Sequence, residues 1–143
     1  MLWTVSAVLP LAPFSYLPPI IVGGGPGNWF LLGYILYLSV GVGGFAAFSA
    51  FLFEIETYEG RTLHDGVMLL GLVMLFGGVT VGCVLLGVAG AVGGYALTIR
   101  HTSSAQSLLS FYVNPITAAS MIAVAGAGVS LYGITTAAKA TKT

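Results

Sequence analysis

Apolar residues run in three long stretches along this chain, at about 29–53, 66–99 and 105–138. Each exceeds the length of roughly 18 residues at which an uncharged run reads as a membrane-crossing helix. The breaks between them are FEIETYEGRTLHDG, polar and charged, and RHTSS, short and polar. Ser103 or Ser104 is placed to cap the third helix. Ahead of the first run, residues 1–22 are apolar but interrupted by Pro10, Pro13, Pro18 and Pro19. Those prolines exclude a straight spanning helix and predict a short helix over roughly 3–9, followed by an extended or re-entrant stretch. GGGPGN at 23–28 is turn chemistry, with Asn28 as N-cap of the helix that follows. Pro115, inside the third run, predicts a kink.

The expected fold is therefore all-α: a bundle of three long hydrophobic helices preceded by a short Pro-broken segment, 1–28. All 143 residues are read as one hydrophobic domain. Runs two and three are each 34 residues, or ~51 Å of helix, against a hydrocarbon core of ~30 Å. Helices that long bend, project beyond a bilayer, or sit in apolar surroundings other than a bilayer.

Residues 77–94, GGVTVGCVLLGVAGAVGG, hold seven glycines in eighteen positions. Val, Leu and Ala between them exclude a disordered linker. GVGGFA at 41–46 matches a nominal dinucleotide fingerprint, but it lies in an uncharged run with no strand before it, and Arg61 stands where a ribose-binding acid would fall. Helix-on-helix contact fits better. Gly71, Gly78, Gly82, Ala89 and Gly93 share one helical face, and so do Ala119, Ala123, Gly126, Ser130, Gly133 and Ala137. Such stripes let two backbones approach closely, so that dispersion and Cα–H···O contacts hold them.

Composition narrows the setting. Charged residues are 6% of the chain, against ~25% in ordinary soluble domains, and 57% are hydrophobic. Four basic and four acidic side chains cannot clothe a soluble surface of this size. The net charge is zero and no basic patch exists, so little direct nucleic-acid contact is expected. A secretory signal peptide fits the N-terminus poorly, since no Lys or Arg precedes the apolar stretch. The lone Cys83 excludes an intrachain disulfide and reads as a small buried residue.

Candidate chemistry is sparse. His64 and Asp65 invite a haem-ligand or proton-relay reading, but His101 is the other histidine and lies ~55 Å away along one straight helix. Asp65 is better read as an acid near a helix N-terminus. Glu54, Glu56 and Glu59 lack a calcium-loop spacing and read as a solvated loop. On a three-span layout, Glu54, Glu56, Glu59, Arg61 and Asp65 share a side with Lys139 and Lys142, which suits charge contacts between subunits. No ionisable group interrupts the apolar runs, which argues against pumps, channels and a rotary proteolipid ring. No hydrolase, redox or zinc motif appears. The expectation is a non-enzyme with no catalytic residue, cofactor or metal.

In composition and helix layout, over its whole length, the chain resembles the hydrophobic helical-bundle coat proteins of spindle-shaped and rod-shaped archaeal viruses. No motif carries that resemblance, so it implies no residue roles. It implies a structural protein that self-assembles with identical copies into a helical lattice, a virion major coat enclosing double-stranded DNA. The alternative is an accessory transmembrane subunit packed against unlike partners in a larger complex, such as a respiratory oxidoreductase. A third reading is a transporter or quinone-binding protein with His64 facing a pocket. All place the chain in an apolar environment, virion or membrane, where lipid can contact it.

Overall fold

A computed structural model describes residues 11–12, 14–58, 60–101 and 105–139. The fold is all-α, a bundle built on three long apolar helical runs. A 3₁₀ turn, Phe14–Tyr16, leads into a short helix α1, Leu17–Val22. Prolines at its start occupy positions whose N–H groups would have no partner within the helix, so Pro18 and Pro19 begin α1 instead of breaking it. The expected extended stretch is thus helical over these residues. The short helix expected over 3–9 lies outside the described residues.

Gly24 and Gly25 take φ of +68° and +57°, left-handed values that suit glycine and reverse the chain. The first long run then starts at Gly27, ahead of Asn28. Backbone bonds from Gly27, Asn28 and Trp29 to Gly24, Gly25 and Pro26 close its first turn, so Asn28 lies inside the helix and not at its cap. This run comprises α2, Gly27–Leu36, a π-helical segment, Tyr37–Gly44, and α3, Phe45–Tyr58. It extends beyond the expected end at 53, taking Glu54 and Glu56 into helical turns, because buried Ile55 anchors that turn. Gly60, at φ +60°, lies just beyond it.

The second run is α4, Asp65–Thr98, and the third is α5, Ala105–Thr135. Asp65 opens α4, where a negative charge is favoured by the helix dipole. Pro115 lies within α5 without ending it. The proposed caps Ser103 and Ser104 lie outside the described residues. The third run stops at Thr135, short of 138. Hydroxyls of Thr135 and Thr136 bond the Tyr132 carbonyl at 2.9 and 2.8 Å, competing with backbone donors in the last turn. Beyond it, two-residue segments β1, Arg61–Thr62, and β2, Ala138–Lys139, pair antiparallel, with Arg61 opposite Lys139.

Packing divides the chain into two compact units. Of the described residues, one contains those up to Leu36 together with those of 81–117; the other contains those of 37–80 together with those from Ala118 onward. Both α4 and α5 contribute a stretch to each. In the first unit, α4 packs against α1 and α2. In the second, α4 packs against α5.

Candidate functional site

The candidate site is the set of close helix contacts, since the chemistry-bearing side chains among the described residues do not gather into a cluster. Among the described residues, no three His, Cys, Asp or Glu side chains stand close enough to share a metal ion. His64 and His101 are both exposed, at the N-terminal approach to α4 and just beyond its C-terminal end. His101 has φ 52°. Glu54, Glu56 and Asp65 are exposed as well. Glu59 and Lys142 lie outside the described residues, and for Arg61 and Lys139 only the backbone is described. Their pairing brings the segment before α4 and the C-terminal segment together, with a basic residue opposite a basic residue instead of an acid.

In the second unit, α4 and α5 meet through small residues. A side chain on Gly71 would strike Ser130 and the Gly126 carbonyl. On Gly78, a Cβ would lie 2.6 Å from the Ala119 carbonyl oxygen and against the Ala123 backbone. On Gly126 it would strike the Leu75 amide and fall 2.7 Å from the Gly71 carbonyl oxygen. Gly133 faces the Met68 sulfur at 2.7 Å by the same measure. These distances are shorter than real Cβ contacts, so the backbones can approach this closely only where a hydrogen replaces a side chain. Among the described side chains of α5, the buried ones are Ala119, Ala123, Gly126, Ser130 and Gly133. Ala137, placed on the same stripe by helical spacing, lies past the helix end and is half-buried.

The first unit holds a second seam on a different face of α4. A Cβ on Gly33 of α2 would come within 2.7 Å of the Cys83 carbonyl oxygen and 3.1 Å of the Gly87 nitrogen. One on Gly90 would strike the backbone of Phe30, and one on Gly94 would strike the Ile20 side chain. Cys83, Gly87, Gly90 and Gly94 recur at spacings of 4, 3 and 4. At ~100° per residue, these four positions fall within an arc of roughly 60° on the helix. Gly82 and Ala89 are buried, and a Cβ on Gly93 would press against Leu109 and Pro26. Sequence reading did not single out Gly27, Gly33, Gly87, Gly90 or Gly94. The 4-3-4 repeat was the available signal, hidden by the density of glycine around it.

Among the described residues, two buried side-chain atoms have no hydrogen-bond partner, Thr80 Oγ1 and Ser130 Oγ. Ser130 is 0% exposed and sits where Gly71 approaches.

The π segment is arranged differently. Positions for a Cβ on Gly43 and Gly44 meet only carbonyls of their own helix, Leu38 at 3.5 Å and Ser39 at 3.7 Å. Beside Gly41 and Gly44 lies a groove of about 150 Å³, walled by Phe45 and Phe48 on one side and Phe76 and Val79 of α4 on the other. Phe45 and Phe76 stand 5.3 Å apart between ring centroids. In the first unit, aromatic groups gather near the end of α4: Tyr16 meets Tyr95 edge-on at 5.6 Å, and Arg100 lies 5.8 Å from the Tyr95 ring.

Comparison with known proteins finds no matching family model, no matching curated protein and no matching solved structure.

Proposed function

We propose that this chain is a non-catalytic, membrane-integral structural subunit, a three-span scaffold that packs laterally against other helices in an apolar phase. The observation that carries this reading is an inverted distribution of side-chain size. Along α5, small residues fill the helix contact, while large apolar ones point outward. Ala89, Ala119, Ala123 and Ser130 are buried; Met121, Val124 and Leu131 on α5 are 67%, 73% and 62% exposed. Water would oppose that arrangement, whereas lipid or neighbouring apolar helices accept it.

Helix-end polarity supports a bilayer as that phase. The runs Gly27–Tyr58, Asp65–Thr98 and Ser107–Thr135 are each long and apolar enough to cross one. On α5, Ser107, Ser110 and Asn114 are exposed, and the apolar part from Ile116 to Ile134 is ~29 Å long. That length matches a hydrocarbon core of ~30 Å. At the end of α3, exposed Glu54 and Glu56 suit a position beyond the core.

Membrane fractionation tests the reading. The protein should remain with the membrane after alkaline carbonate and leave it only with detergent. Recovery in the carbonate supernatant would end the proposal.

A second reading, the virion coat made of identical copies, is favoured by the 34 residues of α4, whose ~51 Å exceed a bilayer core. Neighbouring copies in a lattice would cover the same outward side chains. Under that reading the protein sediments in particles that protect double-stranded DNA from nuclease. Native sizing of the detergent extract separates identical copies from unlike membrane partners.

A further inference from the structure

The pairing of β1 with β2 determines which basic residues share a face of the membrane. Arg61 lies opposite Lys139 in that antiparallel pair. Between them the chain runs through α4, of 34 residues, and α5, of 31. A chain that leaves at Thr62 and is back beside it at Ala138 has crossed an even number of times. In the membrane reading above, on which this inference rests, α4 and α5 each cross once. Arg61 and Lys139 then share one face, and Arg100, just past the end of α4, belongs to the other. Aromatic side chains mark both levels. Tyr58 and Tyr132 are exposed at the ends of α3 and α5, while Tyr16, Tyr95 and Arg100 gather at the far end of α4. Such positions suit the headgroup layer.

The four basic side chains of the chain are divided unevenly between these faces. Arg61 and Lys139 belong to the first, each within four residues of a spanning helix. Lys142 follows Lys139 by three residues, a reach of ~10 Å that is too short to cross a core of ~30 Å. Arg100 is the single one on the second face. All four acidic residues, Glu54, Glu56, Glu59 and Asp65, fall at the first face as well, so net charge and basic charge argue opposite ways. The basic count decides, because Lys and Arg beside a spanning segment are held on the cytoplasmic side whereas Asp and Glu weigh little. Bases at directly paired positions also repel, and the negative surface potential of the cytoplasmic leaflet favours both.

We propose that the face carrying Arg61 and Lys139 is cytoplasmic, against the anionic headgroups of that leaflet, and that Arg100 lies on the opposite side.

The test uses full-length protein in the membrane of the expressing cell, with Cys83→Ser removing the native thiol. His64→Cys reports the first face and His101→Cys the second, both at exposed positions. Because His101 has φ 52°, Asn28→Cys, exposed at the start of the first run, is a second reporter of that face. A membrane-impermeant maleimide added to spheroplasts should label His101→Cys and Asn28→Cys about tenfold more than His64→Cys, and inverted vesicles should reverse the ratio. Replacing Arg61, Lys139 and Lys142 by glutamine leaves Arg100 as the sole Lys or Arg. Outside labelling of His101→Cys should then fall about twofold or more, as chains insert the other way round. Glu54→Gln with Glu56→Gln should leave the ratio unchanged. Preferential outside labelling of His64→Cys in the parent overturns the assignment, whether or not the glutamine variant accumulates. An unchanged ratio in that variant overturns it too, and so does reversal by the acid-to-amide changes. Equal labelling from both sides in a protein that resists carbonate overturns the sidedness and leaves the membrane reading standing. Release by carbonate overturns both.

Discussion

The α4–α5 contact and the π segment are both rich in glycine, yet glycine serves opposite ends in them. Between α4 and α5, it removes side chains so that one backbone can lie against another, as where Gly126 meets Leu75 and Gly71. In the π segment, a Cβ on Gly43 or Gly44 would meet only a carbonyl of its own helix, and a groove opens beside Gly44. The difference teaches that local glycine density does not define a role. The role depends on what occupies the space a Cβ would fill. The first region should resist any added atom, and the second should tolerate several.

The largest effect is expected from Gly126→Leu. Its side chain would collide with the Leu75 amide and the Gly71 carbonyl, neither of which can move without shifting α4. Overpacking of this kind costs about 3 kcal/mol or more, so unfolding in detergent should show a large fall in stability or loss of accumulation. Wild-type stability in that variant would break the comparison at its root. Gly90→Ala adds one methyl against the Phe30 backbone in the other unit, and a loss of about 1–3 kcal/mol is expected from the same titration. Equal losses from Gly90→Ala and from Gly78→Ala would give the two seams the same physical standing.

Ser130→Ala sharpens the contrast differently. The hydroxyl is fully buried with no partner, so its removal should raise stability by about 1 kcal/mol while leaving the close approach of Gly71 intact. A loss of similar size would mean that the hydroxyl holds a bond across the seam. The smallest effect belongs to Gly128→Ala and Gly77→Ala, where an added Cβ has open space. Each should gain up to ~1 kcal/mol from reduced backbone entropy, read as a small rise in melting temperature in the same detergent.

Much of this architecture is legible in the amino-acid order. Apolar runs separated by FEIETYEGRTLHDG and RHTSS mark the three helices, because a hydrophobic stretch that long has few other stable forms. The stripe Ala119, Ala123, Gly126, Ser130, Gly133 can be drawn from helical spacing alone. Other features cannot. Helix ends at Tyr58 and Thr135 depend on local competition, from a buried Ile55 in one case and threonine hydroxyls in the other. The π segment leaves no periodic trace, since one extra residue in a turn does not alter an apolar composition. The face of Cys83, Gly87, Gly90 and Gly94 was present as a repeat but indistinguishable from its neighbours on a helix small on several sides.

Residue order thus carries the helical class and the number of long apolar runs. Each follows from the hydration of side chains and backbone, which is a property of the residues themselves. Tertiary structure alone decided which stripe of α4 meets α5, which meets α2, and which glycines face a groove instead of a neighbour. A hydrogen in place of a side chain permits close approach on every glycine face equally. Only the arrival of a second backbone distinguishes one face from another.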